Sequence, residues 1–231
     1  MNKVKIIFIV LILISLIYLG YQNLKNVENY VSFKQDKTRN VCEDLYKKNL
    51  NKKYVVIKKL IPDNICDEIL EEATNYARNN KWTKNRHENY PTTDNRITSE
   101  WFSYNYINSL IYSKIFERIS SMYNVKQNRL GINEIFVAKY QYNLQNSLQK
   151  HKDGSEFSFI ISLNDSREYE GGGTYFIDLK KNIKLEKGDC LVFSGQNEHR
   201  GSKILKGKRY IITGFINYMK EDYCEDLLGE N

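Results

Sequence analysis

From Ile132 onward the chain breaks into short strand-like runs separated by turn residues, and this pattern restricts its fold more than any other feature. Residues 134–142, 156–163, 174–177, 182–185, 188–193 and 208–217 are each of strand length and rich in aliphatic, aromatic and β-branched residues. Upstream the periodicity is helical. Pro62-Asp63 introduces an amphipathic helix over 65–78, with Asp63 or Asn64 placed to cap its first N–H groups. Ile107, Leu110, Ile111, Ile115, Ile119 and Met122 mark a second helix that ends near Asn124, and 54–57 reads as a strand. Helices followed by a run of short strands predict an α+β fold, a jelly roll (double-stranded β-helix) with the helices packed outside it. No internal repeat is visible.

The N-terminus carries a different signal. Residues 6–19 are apolar or Tyr except for Ser15, and Lys3 and Lys5 precede them. A helix over 6–21 would rise about 24 Å, short of a ~30 Å hydrocarbon core but within reach of snorkelling lysines. Tyr18-Leu19-Gly20 offers a signal peptidase only one small residue, so residues 1–21 are expected to form an uncleaved transmembrane signal anchor ahead of a cleaved signal peptide. With the lysines held in the cytoplasm, the rest of the chain faces the lumen or the extracellular side. Residues 22–53 are polar, rich in Lys and Asn, and read as a stalk or irregular lead-in; 54–220 form the domain and 221–231 an acidic tail.

Charge and cysteine usage exclude some classes. The formal charge is +7, with three of the excess cations in the acid-free first 25 residues, and no lysine/arginine stripe interleaved with aromatics is present, so no nucleic acid is expected as partner. Of four cysteines, Cys66 and Cys190 fall on apolar faces and read as core thiols, while Cys42 and Cys224 flank the domain and could pair in an oxidising compartment. No CxxC or zinc-finger spacing occurs. Gly171-Gly172-Gly173 lacks the Lys-Ser/Thr and the following helix of a phosphate loop, and reads as a tight connection with φ > 0. Asn164-Asp165-Ser166 is a glycosylation sequon that counts only in a lumenal domain.

Two of the three histidines bound one stretch, His151 in HKDGS and His199 in NEHRG. On a strand, residues i and i+2 share a face, so His151 and Asp153 can both enter a barrel interior while Lys152 points out. A second histidine from another strand completes a 2-His-1-carboxylate set, which on non-haem Fe(II) leaves positions for a bidentate co-substrate and for O₂. Either histidine alone would more ordinarily be a structural residue; the combination with Arg209, ten residues beyond His199 in a strand, is what points to a site. The planar guanidinium of Arg209 suits bidentate pairing with a carboxylate, although a surface strand arginine is the plainer alternative. The third histidine, His87, lies in a turn-rich segment, 81–103, around YPTTD; such loops can cover a cleft, but surface linkage is the simpler reading.

Residues 132–218 resemble the catalytic domain of Fe(II)- and 2-oxoglutarate-dependent dioxygenases of the prolyl/lysyl hydroxylase group, most closely the procollagen lysyl hydroxylases. The likeness runs through VAKYQY, HKDGSEFSFIISLND, YEGGGTYF, KGDCLVF and HRGSKILKGKRYIITGF, and a weaker one through LIPDNICDEILEEA and YPTTD extends it to 54–218. The resemblance implies that His151, Asp153 and His199 bind iron, that Arg209 holds the distal carboxylate of 2-oxoglutarate, that Tyr140 offers it a hydroxyl, and that L-ascorbate keeps the iron ferrous. Prolyl 4-hydroxylases of the group generally carry lysine at the Arg209 position, so the arginine tilts the likeness toward the lysyl type. The implied activity is a membrane-anchored dioxygenase that hydroxylates a peptide or protein side chain, lysine ahead of proline. The alternatives are a prolyl 4-hydroxylase-like enzyme, the same chemistry on a small molecule, lipid or base, and a non-catalytic membrane-anchored binding module on the same barrel. Specificity is expected from loops 81–103 and 143–150. The chain has no room for the accessory or glycosyltransferase domains of the large lysyl hydroxylases, so collagen-like substrates and the family's dimerisation are not carried over, and homo-oligomerisation stays open.

Overall fold

A computed structural model of the chain describes residues 3–50, 54–84 and 86–219, without the side chains of 3–13 and of several later positions in the first helix. The chain divides into two compact units, residues 1–46 and 47–231.

The first unit carries α1 (Lys3–Leu50), one unbroken helix. Residues 22–50, read from sequence as an irregular lead-in, are therefore helical. No glycine or proline occurs between Gly20 and Pro62, Lys, Glu, Gln and Leu are good helix formers, and extending an existing helix avoids a new nucleation step. The expected membrane anchor, residues 1–21, falls mostly on positions whose side chains lie outside the described set. Among the described residues no helix is long and apolar enough to cross a membrane, while Ile14, Leu16, Ile17, Tyr18 and Leu19 are exposed. Cys42 has a free thiol; Cys224, its expected partner, and the acidic tail lie outside the described residues.

The second unit runs in the order β1 (Tyr54–Ile57), α2 (Asp63–Asn80), β2 (Asp94–Arg96), α3 (Tyr104–Leu110), a π-helical turn (Ile111–Ile115), α4 (Phe116–Tyr123), β3 (Gly131–Gln141), β4 (Leu148–His151), β5 (Phe157–Ser162), β6 (Tyr169–Gly171), β7 (Thr174–Phe176), β8 (Lys181–Ile183), β9 (Cys190–Ser194), β10 (His199–Gly201) and β11 (Ile204–Asn217). The helices differ from expectation in detail. α2 starts after Pro62 with no side-chain cap, because Asp63 is taken by Lys59 Nζ at 2.6 Å. The second amphipathic helix is interrupted by the π turn and stops at Asn124, which adopts φ 55°, a left-handed conformation asparagine tolerates.

Two antiparallel sheets face each other. The larger has the order β1-β9-β5-β11-β3-β2 with β6 attached to β11, and the smaller has the order β4-β10-β7-β8. Phe136, Ala138, Ile160, Phe176, Leu191, Phe193 and Ile211 from both sheets form the core between them. The other face of the large sheet is covered by helices, as Tyr123 of α4 packs on Phe157 of β5 with ring centroids 4.7 Å apart and the Cys66 thiol of α2 reaches the Ser162 carbonyl. Covered on both sides, β5 and β9 are buried at every position, Ser158, Ser162 and Ser194 included, which is why neither shows a regular apolar–polar alternation. β4 and β10 escape a hydropathy reading because LQKH and HRG are polar and short.

The glycine triplet behaves as a turn. All three residues have positive φ, and a Cβ on Gly171 would stand 2.2 Å from the Lys203 carbonyl oxygen. The sequon asparagine is structural: buried Asn164 donates to the Lys208 carbonyl (3.0 Å) and accepts from the Tyr210 N–H (2.8 Å), which pins β11 on either side of Arg209. Cys66 and Cys190 are core thiols, as expected; burial pushes the Cys66 thiol up to about 12 and the Cys190 thiol up further. With the thiolate suppressed, both cysteines should stay unmodified by iodoacetamide at pH 8 in the folded protein and react fully in denaturant, read peptide by peptide by mass spectrometry.

Candidate active site

His151 closes β4 and His199 opens β10, and the two are direct partners in the antiparallel register. Their ring centroids are 4.4 Å apart. Each Nδ1 lies 2.8 Å from a backbone carbonyl two residues earlier, Gln149 for His151 and Asn197 for His199. Those bonds hold a proton on Nδ1 and turn both Nε2 atoms inward, where each is a lone pair once its ring is neutral. Asp153 meets them there, with Oδ1 at 3.3 Å from His151 Nε2 and Oδ2 at 3.8 Å from His199 Nε2.

Strand alternation does not place Asp153, because β4 ends at His151. The residue sits in the following loop, held by its N–H on the Gly195 carbonyl (2.9 Å) and by the Ser158 hydroxyl donating to Oδ2 (2.5 Å). Gly195 has no room for a side chain, since a Cβ there would lie 2.1 Å from the Ser155 carbonyl oxygen. Burial alone would raise the Asp153 carboxyl, but the bond from His151, the charge of His199 and the Ser158 hydroxyl together hold it below its ordinary range. Burial lowers His199. The His151 imidazole is shifted up, with burial opposing and its bonds to Asp153 and to Gln149 prevailing. An ionised carboxylate beside two imidazoles with inward Nε2 is a metal-ready set, and the three ligand atoms all lie within 4.8 Å of one another. Adjacent ligands on an octahedron with bonds of ~2.1 Å stand about 3 Å apart, so small rotations suffice for them to share one ion.

Arg209 and Tyr140 are register partners on β11 and β3. Both are buried, and the guanidinium carbon lies 5.8 Å from the tyrosine ring centroid. Arg209 Nη2 is buried with no hydrogen-bond partner, a vacant donor on a permanent cation that an anion would satisfy. Burial pushes the Tyr140 hydroxyl up to about 12, against the opposing charge of Arg209, so at neutral pH it remains a donor. The triad, Arg209 and Tyr140 line one cavity of about 260 Å³, with Ile211, Thr213 and Phe215 following Arg209 at alternate positions of β11. The donor set suits Fe(II), and the orphaned guanidinium beside a tyrosine hydroxyl suits a dicarboxylate.

Residues 135–217 match the family model described as the 2OG-Fe(II) oxygenase superfamily. The chain carries a 2OG-Fe(II) oxygenase domain. Its cofactors are accordingly Fe(II) and 2-oxoglutarate, for which His151, Asp153, His199 and Arg209 provide the fit just described. The domain is similar to procollagen-lysine,2-oxoglutarate 5-dioxygenase 1 of Gallus gallus, 33% identical over 175 residues that cover 68% of this chain and 23% of the relative. It is also similar to the multifunctional procollagen lysine hydroxylase and glycosyltransferase of Caenorhabditis elegans, 31% identical over 170 residues, again 68% of this chain and 23% of the relative. The chain thus spans about a quarter of the length of these relatives. Among solved structures, the viral collagen prolyl hydroxylase of Paramecium Bursaria Chlorella virus-1 shares the fold, with a TM-score of 0.57 at 20% identity over 73% of this chain and 98% of that one.

The oxygenase cavity also includes residues of the 81–103 segment, from which specificity is expected although surface linkage is the simpler reading of its turns. His87, Glu88, Asn89, Tyr90 and Thr92 form part of its wall, so the 81–103 segment is a rim of the site and not only a surface link. Tyr90 stacks on His151 with centroids 4.7 Å apart. The loop is held by Arg86, which donates from Nε to Asp94 and from Nη1 to Glu134 Oε1 (2.7 Å), and by the Thr92 hydroxyl, which donates to Asp94. YPTTD was the available signal, since Thr92 and Asp94 are its third and fifth residues, but their partners are distant in sequence.

Replacing Arg209 by Ala should weaken 2-oxoglutarate binding by about 10- to 100-fold, the worth of lost charge-assisted bonds, with Fe(II) binding little changed. Tyr140→Phe should cost only several-fold, about 1 kcal/mol for one neutral hydrogen bond. Isothermal titration of the Fe(II) form under nitrogen checks both.

Proposed function

We propose that the chain hydroxylates a peptidyl side chain, lysine ahead of proline, with 2-oxoglutarate and O₂ as co-substrates and L-ascorbate as the reductant that maintains ferrous iron. The observation that carries the oxygenase reading is the buried, unpartnered Arg209 guanidinium in the same cavity as the His151, Asp153 and His199 cluster. Bound there, the ferrous iron supplies the oxidation, one oxygen of O₂ going to the substrate and the other to succinate, with CO₂ released. The chain's own residues hold and orient. Arg209 and Tyr140 fix the anion, the carbonyls of Gln149 and Asn197 fix the imidazoles, and Phe136, Phe193, Ile211 and Phe215 keep the cavity wall apolar.

Lysine is supported by the names of the curated relatives and by one acid on the rim. The carboxylates lining the cavity are Asp153 and Glu88, with Lys152 and Arg209 as the cations; Glu88 is exposed on the rim and has no hydrogen-bond or ion-pair partner among the described residues. A carboxylate at the mouth suits an incoming ammonium and does nothing for a prolyl ring. The same reading includes an N-terminal signal anchor and a lumenal or extracellular domain, supported by Lys3, Lys5 and the apolar run after them.

Incubation with Fe(II), 2-oxoglutarate, ascorbate and paired peptides that differ only in a central Lys or Pro should place one added oxygen on lysine, located by tandem mass spectrometry. Oxygen on proline alone would move the assignment to the prolyl type. His151→Ala should abolish Fe(II)-dependent succinate release, and unchanged release would sink the oxygenase mechanism. Glu88→Gln should raise KM for the lysyl peptide about tenfold while leaving 2-oxoglutarate binding unaltered.

A further inference from the structure

Beside the iron cavity, and sharing Thr92 with it, lies a second depression of about 620 Å³ whose walls include Lys81, Trp82, Lys84, Lys139 and Leu144. Its floor is built in. The Gln145 side chain accepts from the Thr93 N–H and donates to the Pro91 carbonyl (2.6 Å), while the Lys139 N–H donates to the Thr93 carbonyl (2.8 Å). Lys139 Nζ stands over the Trp82 ring at 4.9 Å, and burial, then the charges of Lys208 and Lys84, shift its ammonium downward. None of Lys81, Lys84, Lys139 and Lys208 has a carboxylate partner among the described residues, whereas Lys58, Lys59, Lys150, Lys187 and Lys206 elsewhere on the domain each do. Cations gathered without counter-charge around an exposed leucine and an indole form a surface that an acidic chain with apolar side groups would complete.

We infer that this groove binds an acidic stretch of the substrate polypeptide next to the residue presented to the iron. The inference rests on the polypeptide reading given above and adds to it the charge of the flanking sequence and the side from which the chain enters. Thr92 lines both cavities, so the groove adjoins the iron site at the rim that carries Glu88, and a chain laid in the groove would meet that rim next. The two ends then select opposite charges, an ammonium at the cavity and carboxylates in the groove.

The protein has two tryptophans, and only Trp82 lines the groove while Trp101 is buried, so a change in indole emission on titration reports chiefly on Trp82. The test titrates the Fe(II)- and 2-oxoglutarate-loaded full chain, under nitrogen, with lysyl peptides carrying a run of glutamates on one side of the lysine, on the other side, or glutamines throughout. One glutamate order should bind on the order of tenfold more tightly than the glutamine peptide at low salt, the worth of a few partly exposed ion pairs, and the advantage should fall with added salt. Lys84→Glu, on an exposed side chain, and the Lys84→Glu, Lys139→Glu double variant should remove that advantage without weakening the glutamine peptide. Equal binding of the three peptides, or an advantage that survives Lys84→Glu, would overturn the groove assignment. Succinate release, measured separately in air, tests the hydroxylase reading on its own: preferential binding without turnover of any peptide would count against that reading and leave the groove supported.

Discussion

The pairing of His151 with His199 across β4 and β10 is the contact on which the site is built. Two imidazoles and a carboxylate are brought together in a nearly dry barrel end, an arrangement that destabilises a fold unless every polar atom is used. The chain meets that requirement with one local device applied twice: each imidazole Nδ1 bonds the carbonyl two residues behind it. Gln149-Lys150-His151 and Asn197-Glu198-His199 therefore aim their Nε2 atoms at one point, using backbone groups that short, ending strands leave free. Asp153 needs a different support, because it lies beyond the strand. Gly195, with no space for a side chain, and Ser158 provide it.

The other end of the cavity depends on β11, which pairs with β3, β5 and β6 and is the longest strand of the domain's sheets. Alternation along it turns Arg209, Ile211, Thr213 and Phe215 to the cavity in succession, so the cation is at one place and the wall beyond it is largely apolar. Asn164, bonded to residues on both sides of Arg209, keeps that register. A buried donor without a partner destabilises the free protein by about 1–3 kcal/mol, a deficit removed when an anion arrives. Fe²⁺, Asp153 and a dianionic co-substrate sum to about −1, and Arg209 offsets that charge. The buried guanidinium is thus held in place ahead of its ligand by the strand that carries it.

How far this could be read without coordinates depended on the range of the contacts. The barrel, its helices and the gathering of His151, Asp153, His199, Arg209 and Tyr140 in one cavity were legible because they rest on strand-length runs and on residues close in sequence or matched by family motifs. β4 and β10 were not legible as apolar strands, since both are short and polar and are fixed by their partners. The continuity of α1 was missed because a polar composition was read as irregular, although nothing in it stops a helix. The Asn164 sequon shows the opposite limit, a local pattern that suggests a surface role while its side chain is buried in a strand-locking bond.

The anchorage of the 81–103 rim was the least legible part, and its physics explains why. Asp94 is fully buried on the edge strand β2 and binds Arg86, while Arg86 also reaches Glu134 on β3. Removing either acid would leave Arg86 half-paired in a partly buried position, so the clamp works as a unit and holds the rim in one place before any ligand binds. Its members are separated by up to 48 residues, and no spacing rule joins them. The same clamp presents Tyr90 to His151 on one side, while Thr92 belongs to both cavities. The iron end, made by backbone bonds between near neighbours, can persist while the rim changes. Divergence in substrate within such a domain is therefore expected to fall on the rim and the lysine groove, where long-range side-chain contacts set which chain can lie across the mouth.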